Sequence, residues 1–194
     1  MNTARMTPLA ISPPAIEPVS LAQARDFLRL DAADEDELLG MLVTAARLMV
    51  EAASGRMLID QSWRLVLDRW PVGGELRLPL SPVQRIVAAR VYDAAGNAQI
   101  VAASSLVLIK GMDPPVIAVS GAVPMPGRER EAVEIDVVAG FGATPDLVPS
   151  PLRQAVLRLA CRWFEQRGDV ASRDAAQLPA EIAALLVPFR RLKL

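Results

Sequence analysis

Residues 69–92 read RWPVGGELRLPLSPVQRIVAARVY. Gly73-Gly74 is a turn signal, the five residues Glu75–Pro79 have the character of a short strand, and a longer alternating segment starts at Val83. Pro79 and Pro82 break the two apart. Proline cannot donate to a β ladder, so within sheets it settles at strand ends and edges. The stretch therefore reads as punctuated β structure, and its surroundings agree. In SWRLVLDRW, Trp63, Leu65 and Leu67 share one face. VQRIVAARVYDAAGNAQIV reads as a hairpin, with Val87, Ala89 and Val91 alternating ahead of a turn at Gly96 and Asn97. SLVLIKG, PVIAVSG and EAVEIDVVAGF supply three further strands; in the last, Val133, Ile135 and Val137 face inward and Glu134 and Asp136 outward. Residues 61–139 are predicted to form a small antiparallel β subdomain.

On either side the hydrophobic period changes to that of a helix. Ser20 and Gln23 form a capping-box pattern at the start of a helix over 20–30, with Leu21, Ala24, Phe27 and Leu28 on one face. Asp34 can cap a second helix over 35–54, with Glu35, Asp36 and Glu37 in its first turn and Gly55 at its end. Between Leu38 and Ala53 only Arg47 and Glu51 are charged. A surface helix normally shows a wider polar face. This one is either the central core helix of a monomer or a helix packed between its own chain and a neighbouring subunit. Ser150 and Pro151 open a third helix over 151–167, striped by Leu152, Ala155, Val156, Leu159, Ala160, Trp163 and Phe164. A last short helix follows Pro179, and residues 1–19 read as an extended, proline-rich arm. The predicted class is α+β: a helical bundle formed by N- and C-terminal helices with the β subdomain inserted.

Composition narrows the chemistry. The 194 residues contain no histidine, which excludes Ser-His-Asp and Cys-His nucleophiles and histidine-containing zinc sites. A single cysteine, Cys161, rules out an intrachain disulfide framework and fits a reducing compartment. The net charge of −1 leaves no electrostatic footprint for non-specific nucleic-acid binding. No stretch approaches a bilayer-spanning length, and prolines break the N-terminal segment, so a soluble chain without a signal peptide is expected.

No motif rises to a catalytic or cofactor site. Glu134 and Asp136 could divide acid and base roles or help hold a cation, but a solvated strand face explains them as well. AGFGAT at 139–144 has G-x-G after a strand, yet Pro145 stands where a third glycine belongs. VGGE at 72–75 lacks the Lys and Ser/Thr of a P-loop. Arg153, Arg158 and Arg162 could contact phosphate but suit better a solvated helix face partnered by Glu165 and Asp169, and Cys161 suits inert packing. At the chain's end Phe189, Leu192 and Leu194 interleave with Arg190, Arg191 and Lys193. Such a terminus frays, or it anchors on a partner as a docking peptide.

Taken together, EPVSLAQARDFLRLD, DEDELLGMLVTAARLMVEAASGRMLI, QSWRLVLDRWPVGGELRLPLSPVQRIVAARVYD and VPSPLRQAVLRLACRWFEQRG resemble the head–tail connector (adaptor) proteins of tailed bacteriophages. These are the gp6-like and phiE125 gp8-like proteins, which include the adaptors of gene transfer agents. The resemblance runs from Glu17 to Gly168, and the opening stretch is its most specific part. It implies a structural protein, not an enzyme, without cofactor or metal, located at the neck of a virion or phage-like particle after assembly in the bacterial cytoplasm. Its implied partners are the portal protein, a neck or tail-completion (stopper) protein, and itself as a ring, expected to be a dodecamer. DNA would pass through the channel without sequence-specific binding, and no membrane is involved. The resemblance assigns 20–168 to the connector domain and 169–194 to a C-terminal helix and portal-docking tail. Phe189, Arg190, Arg191, Leu192, Lys193 and Leu194 are the expected portal contacts; Leu38, Leu42, Ala45 and Met49 are the expected subunit interface. The competing readings are another neck or tail-completion protein, a carboxylate- or metal-dependent hydrolase, and a monomeric soluble binding module.

Overall fold

The computed structural model describes residues 6–31, 33–166 and 178–190. Among the described residues four helices and eight strands, the strands all paired antiparallel, make the fold α+β. Two units emerge. One holds the described residues up to Ala15 together with Asp60–Phe141; the other holds Ile16–Ile59 and the described residues from Gly142 onward.

The first unit contains β1 (Met6–Ser12), β2 (Gln61–Leu67), β3 (Glu75–Arg77), β4 (Val83–Tyr92), β5 (Ala98–Ile100), β6 (Leu106–Ile109), β7 (Val116–Val119) and β8 (Val133–Ala139). A five-stranded sheet runs β1-β2-β8-β4-β5, and a three-stranded sheet runs β3-β7-β6. β8 is central in the larger sheet, and its inward residues Val133, Ile135, Val137 and Ala139 have no exposed surface. Leu65 of β2 and Ala89 of β4 pair with Ile135 from either side, which puts three apolar side chains in one row of the core.

The opening stretch is where the chain changes sheets. Pro71 and Gly74 close a turn, and Gly74 adopts φ +69°, open to glycine without strain. β3 then pairs with β7, burying Leu76, and Leu78 donates its N–H to the carbonyl of Pro115. Pro79 and Pro82 end that pairing, and Val83 enters the larger sheet opposite Ala139.

Three details differ from the reading of the sequence. Within the expected arm over 1–19, Met6–Ser12 forms an edge strand on β2. The first described element is therefore a strand, and the helices lie inside the chain. Second, Val87 does not share the buried face of Ala89 and Val91: the register shifts between Ile86 and Ala88, and Val87 is 53% exposed. An extra residue at a bulge turns the following side chains to the opposite face. Third, Asp136 is buried.

The second unit contains α1 (Leu21–Leu28), α2 (Asp36–Ser54), α3 (Ser150–Glu165) and α4 (Ala180–Leu186). α3 packs against each of the other three. Its buried stripe is Leu152, Ala155, Val156, Leu159, Ala160, Cys161 and Phe164; Trp163 is half-buried. The capping box at Ser20 and Gln23 forms as the sequence predicts, and Gly55 closes α2 at φ +71°. Two predicted caps do not form. Glu35, not Asp34, flanks α2 and makes no side-chain cap, while Asp36 pairs with Arg25 at 3.3 Å. Ser150 is itself helical; the Pro149 carbonyl accepts from Leu152 and Arg153 and closes the first turn from the backbone.

Candidate assembly surface

The charge pattern of α2 is the reverse of an ordinary surface helix. Arg47 and Glu51 are each only 4% exposed and point into the unit. Arg47 donates from Nη1 to Glu51 Oε2 at 2.9 Å and from Nε to Glu17 Oε2 at 2.8 Å. Thr44 Oγ1 donates to Glu17 Oε1 at 2.9 Å, and the Leu58 amide donates to Glu51 Oε1 at the same distance. Both carboxylates and the guanidinium are thus satisfied internally, as buried charges must be.

With its charges turned inward, α2 shows solvent an apolar face. Met41 is 58% exposed, Leu48 54% and Met49 39%. Ala45 and Ala52 are exposed between and beyond them, and Glu37 stands one turn before Met41. Residues 37, 41, 45, 48 and 52 follow the three- and four-residue steps of a helix face. Isolated exposed apolar side chains are commonplace; a contiguous stripe marks an interaction surface. Of the residues predicted from sequence, Ala45 and Met49 lie on this surface, whereas Leu38 and Leu42 are half-buried at its margin. Met41 and Leu48 were missed. Their signal was present in the period, since the face away from Arg47 and Glu51 is apolar from Met41 to Ala52, but charged residues are ordinarily assigned to the outside.

The C-terminal candidates divide. Phe189 is half-buried in a short turn after α4, and its carbonyl accepts from Arg56 Nε at 2.8 Å. Ile182 and Leu186 bury α4, and Arg162 on α3 pairs with Glu181 at 3.0 Å. Arg190 is exposed; Arg191, Leu192, Lys193 and Leu194 lie outside the described residues.

Glu134 and Asp136 do not sit on a solvated face. Asp136 is 7% exposed and accepts from Arg64 Nε at 2.7 Å, Arg64 Nη2 at 3.1 Å and Arg90 Nη1 at 2.8 Å. Glu134 lies 3.3 Å from Arg64 Nη1 and accepts from the Tyr92 hydroxyl at 3.0 Å. Burial alone would raise the Asp136 carboxyl, but its hydrogen bonds and charge contacts with Arg64 and Arg90 hold it below the usual carboxylate range. Burial and the bond to Glu134 push the Tyr92 hydroxyl up. The Arg128 guanidinium lies 4.0 Å over the Tyr92 ring. This constellation cross-links β2, β8 and β4. Among the described residues no group of His, Cys, Asp and Glu is arranged to hold a metal ion. Cys161 is buried, and burial, with Glu165 nearby, pushes its thiol up to about 11, far from the reactive range.

A second apolar surface lies in the β unit. β5 covers β4 only at Arg90–Tyr92, and a groove of about 580 Å³ opens beside the uncovered Gln84–Ala88 edge. Ile86, Val87, Ile100, Leu106 and Leu108 line it, with Arg85 and Lys110 exposed at its rim.

No family model matches the chain, and no curated protein matches it. Solved structures do. A chain of the virion of a native gene transfer agent particle is 32% identical with a TM-score of 0.82, and the match covers 97% of both chains. A chain in the neck of an empty gene transfer agent particle, computed with C6 symmetry, is 32% identical over 97% of both chains with a TM-score of 0.83. A chain in the neck of a native particle, computed with C12 symmetry, is 34% identical over 96% of this chain and 97% of that one, with a TM-score of 0.73.

Proposed function

Because this chain belongs to the family of structural proteins in the neck of gene transfer agent particles, we propose that it is the head–tail connector of such a particle or of a tailed phage. In this reading copies of the chain form a ring, twelvefold by expectation, beneath the portal. Helices α1 to α4 form a bundle, the ring extends the DNA channel, and its far side receives the stopper or another tail-completion protein. The observation that carries the proposal is the match over 97% of both chains to a neck component. The apolar stripe on α2 supports it: a side chain such as Met41 is half-solvated in one copy and buried once a neighbour is present. We assign Ala45 and Met49, with Leu38 and Leu42 at the margin, to the contact between copies. A near-neutral chain suits a channel through which DNA slides without sticking. The role is structural, with no catalytic step and no cofactor.

We assign Phe189–Leu194 to the portal. The bond from Arg56 to Phe189 tethers the start of this segment, and its apolar and basic side chains in sequence suit a docking peptide. Removing residues 190–194 leaves Phe189 and its tether in place. The truncated protein should keep its thermal midpoint, no longer be retained by immobilised portal protein, and be absent from purified particles. Normal incorporation would overturn the portal assignment, and retention by a tail-completion protein in place of the portal would move the chain to the other side of the neck.

A further inference from the structure

We propose that neighbouring copies join by seating the exposed α2 stripe of one copy in the groove between β4 and β6 of the next. The inference rests on the ring reading and names the contact that would close it. A closed ring of more than two copies requires a heterologous contact, in which two different patches of the same chain face each other. The described residues present two apolar surfaces of complementary form. One is convex: a helical ridge from Met41 to Ala52, about 16 Å long by helix rise. The other is concave: about 580 Å³, enough to take the side chains of Met41 and Leu48, with Ile100 71% exposed at its lip.

Charge gives the pairing its direction. Glu37 extends the ridge at one end, and Arg85 and Lys110 stand at the groove's rim. None of the three has an ion-pair partner among the described residues. Seating the ridge would bring the carboxylate to the two cations; a second ridge in place of the groove would bring Glu37 to Glu37. The cleft beside α1 and α3, about 500 Å³ and lined by Phe27 and Leu157, is a poorer receptor because Asp26 on its wall offsets Arg153, whereas the β4–β6 groove carries two cations and no carboxylate. A basic peptide, such as the chain's own C-terminal segment, would meet like charge at Arg85 and Lys110.

The test uses assembled particles. Met41→Cys and Val87→Cys both replace exposed side chains, and Cys161 is buried and out of reach of a cross-linker. A short bis-maleimide should convert the double variant into a ladder of covalent multimers ending at the ring's copy number, while each single variant stays monomeric. Glu37→Arg should cut the copies per particle at least tenfold, and adding Arg85→Glu and Lys110→Glu should restore them. A dimer from Met41→Cys alone overturns the proposal, since it would show ridge meeting ridge. So does full incorporation of the double variant without cross-links, which would refute this pairing while leaving the ring intact. One or two copies of the wild-type chain per particle would remove the ring itself, and the contact with it.

Discussion

Asp136 shows how far a residue's environment can depart from its sequence context. Within EAVEIDVVAGF it alternates with apolar side chains and reads as the wet side of a strand. Its strand is the central one, however, and the flanking strands bring an arginine from each side, Arg64 and Arg90, onto one carboxylate. Hydrogen bonds to a charged partner each contribute about 1.5–3 kcal/mol. Asp136→Asn, which keeps the shape and removes the charge, should therefore cost about 2 kcal/mol and lower the thermal midpoint by roughly 4–8 °C. The pH dependence has a definite sign. A carboxylate held below its free value of 3.8 stabilises the fold in full above that value. The contribution is lost as pH falls through the lowered folded-state pKa. Wild-type protein titrated from pH 5 to pH 2 should lose stability more steeply than Asp136→Asn, and parallel curves would show that Asp136 contributes nothing to acid sensitivity.

At the scale of the element, α2 was recognisable as a helix from its length, its acidic first turn and its glycine stop. Its orientation was not recognisable. A helical period gives two faces but does not say which one the protein owns. The two charges decide it only together with Glu17, 30 residues before Arg47 in sequence and 2.8 Å from it in space. Removing the cation from this cluster takes Arg47 away from two carboxylates, one of them almost fully buried. Arg47→Ala should destabilise the protein by about 3–5 kcal/mol, the usual cost of breaking a buried ion pair from one side. Denaturant unfolding would measure it. A loss below about 1 kcal/mol would mean that water reaches the cluster and that α2 is free to roll. β4 gives a second case: its alternation is visible as far as Val91, but the bulge that turns Val87 outward depends on the register with β8.

For the whole molecule, the composition carries a functional statement that the fold does not alter. With 21 basic and 22 acidic residues, the chain has no excess positive charge to release counterions from DNA. The purified protein should pass through immobilised duplex DNA at about 0.15 M salt, the ionic strength at which surface charge is screened beyond about 8 Å. Tight, salt-sensitive retention would contradict a channel that lets DNA slide. The division into units was partly readable. The β segment between two helical regions is plain from the change of period. The return of Met6–Ser12 to pair with β2 is not, because that pairing is decided by an edge 50 or more residues away.

The sequence by itself determined the α+β class, the positions of the helices and most strands, the absence of histidine chemistry and the likeness to structural neck proteins of phage-like particles. Each of these rests on local periodicity, residue inventory or an ordered pattern of short segments, none of which needs a third dimension. Only the tertiary structure decided that α2 turns its charges inward and its methionines outward, and that Glu134 and Asp136 bind strands together. It likewise decided that Pro79 and Pro82 mark a passage between two sheets. Those outcomes depend on which distant side chains arrive opposite one another, and a long-range ion pair or a sheet register leaves no trace in the local pattern.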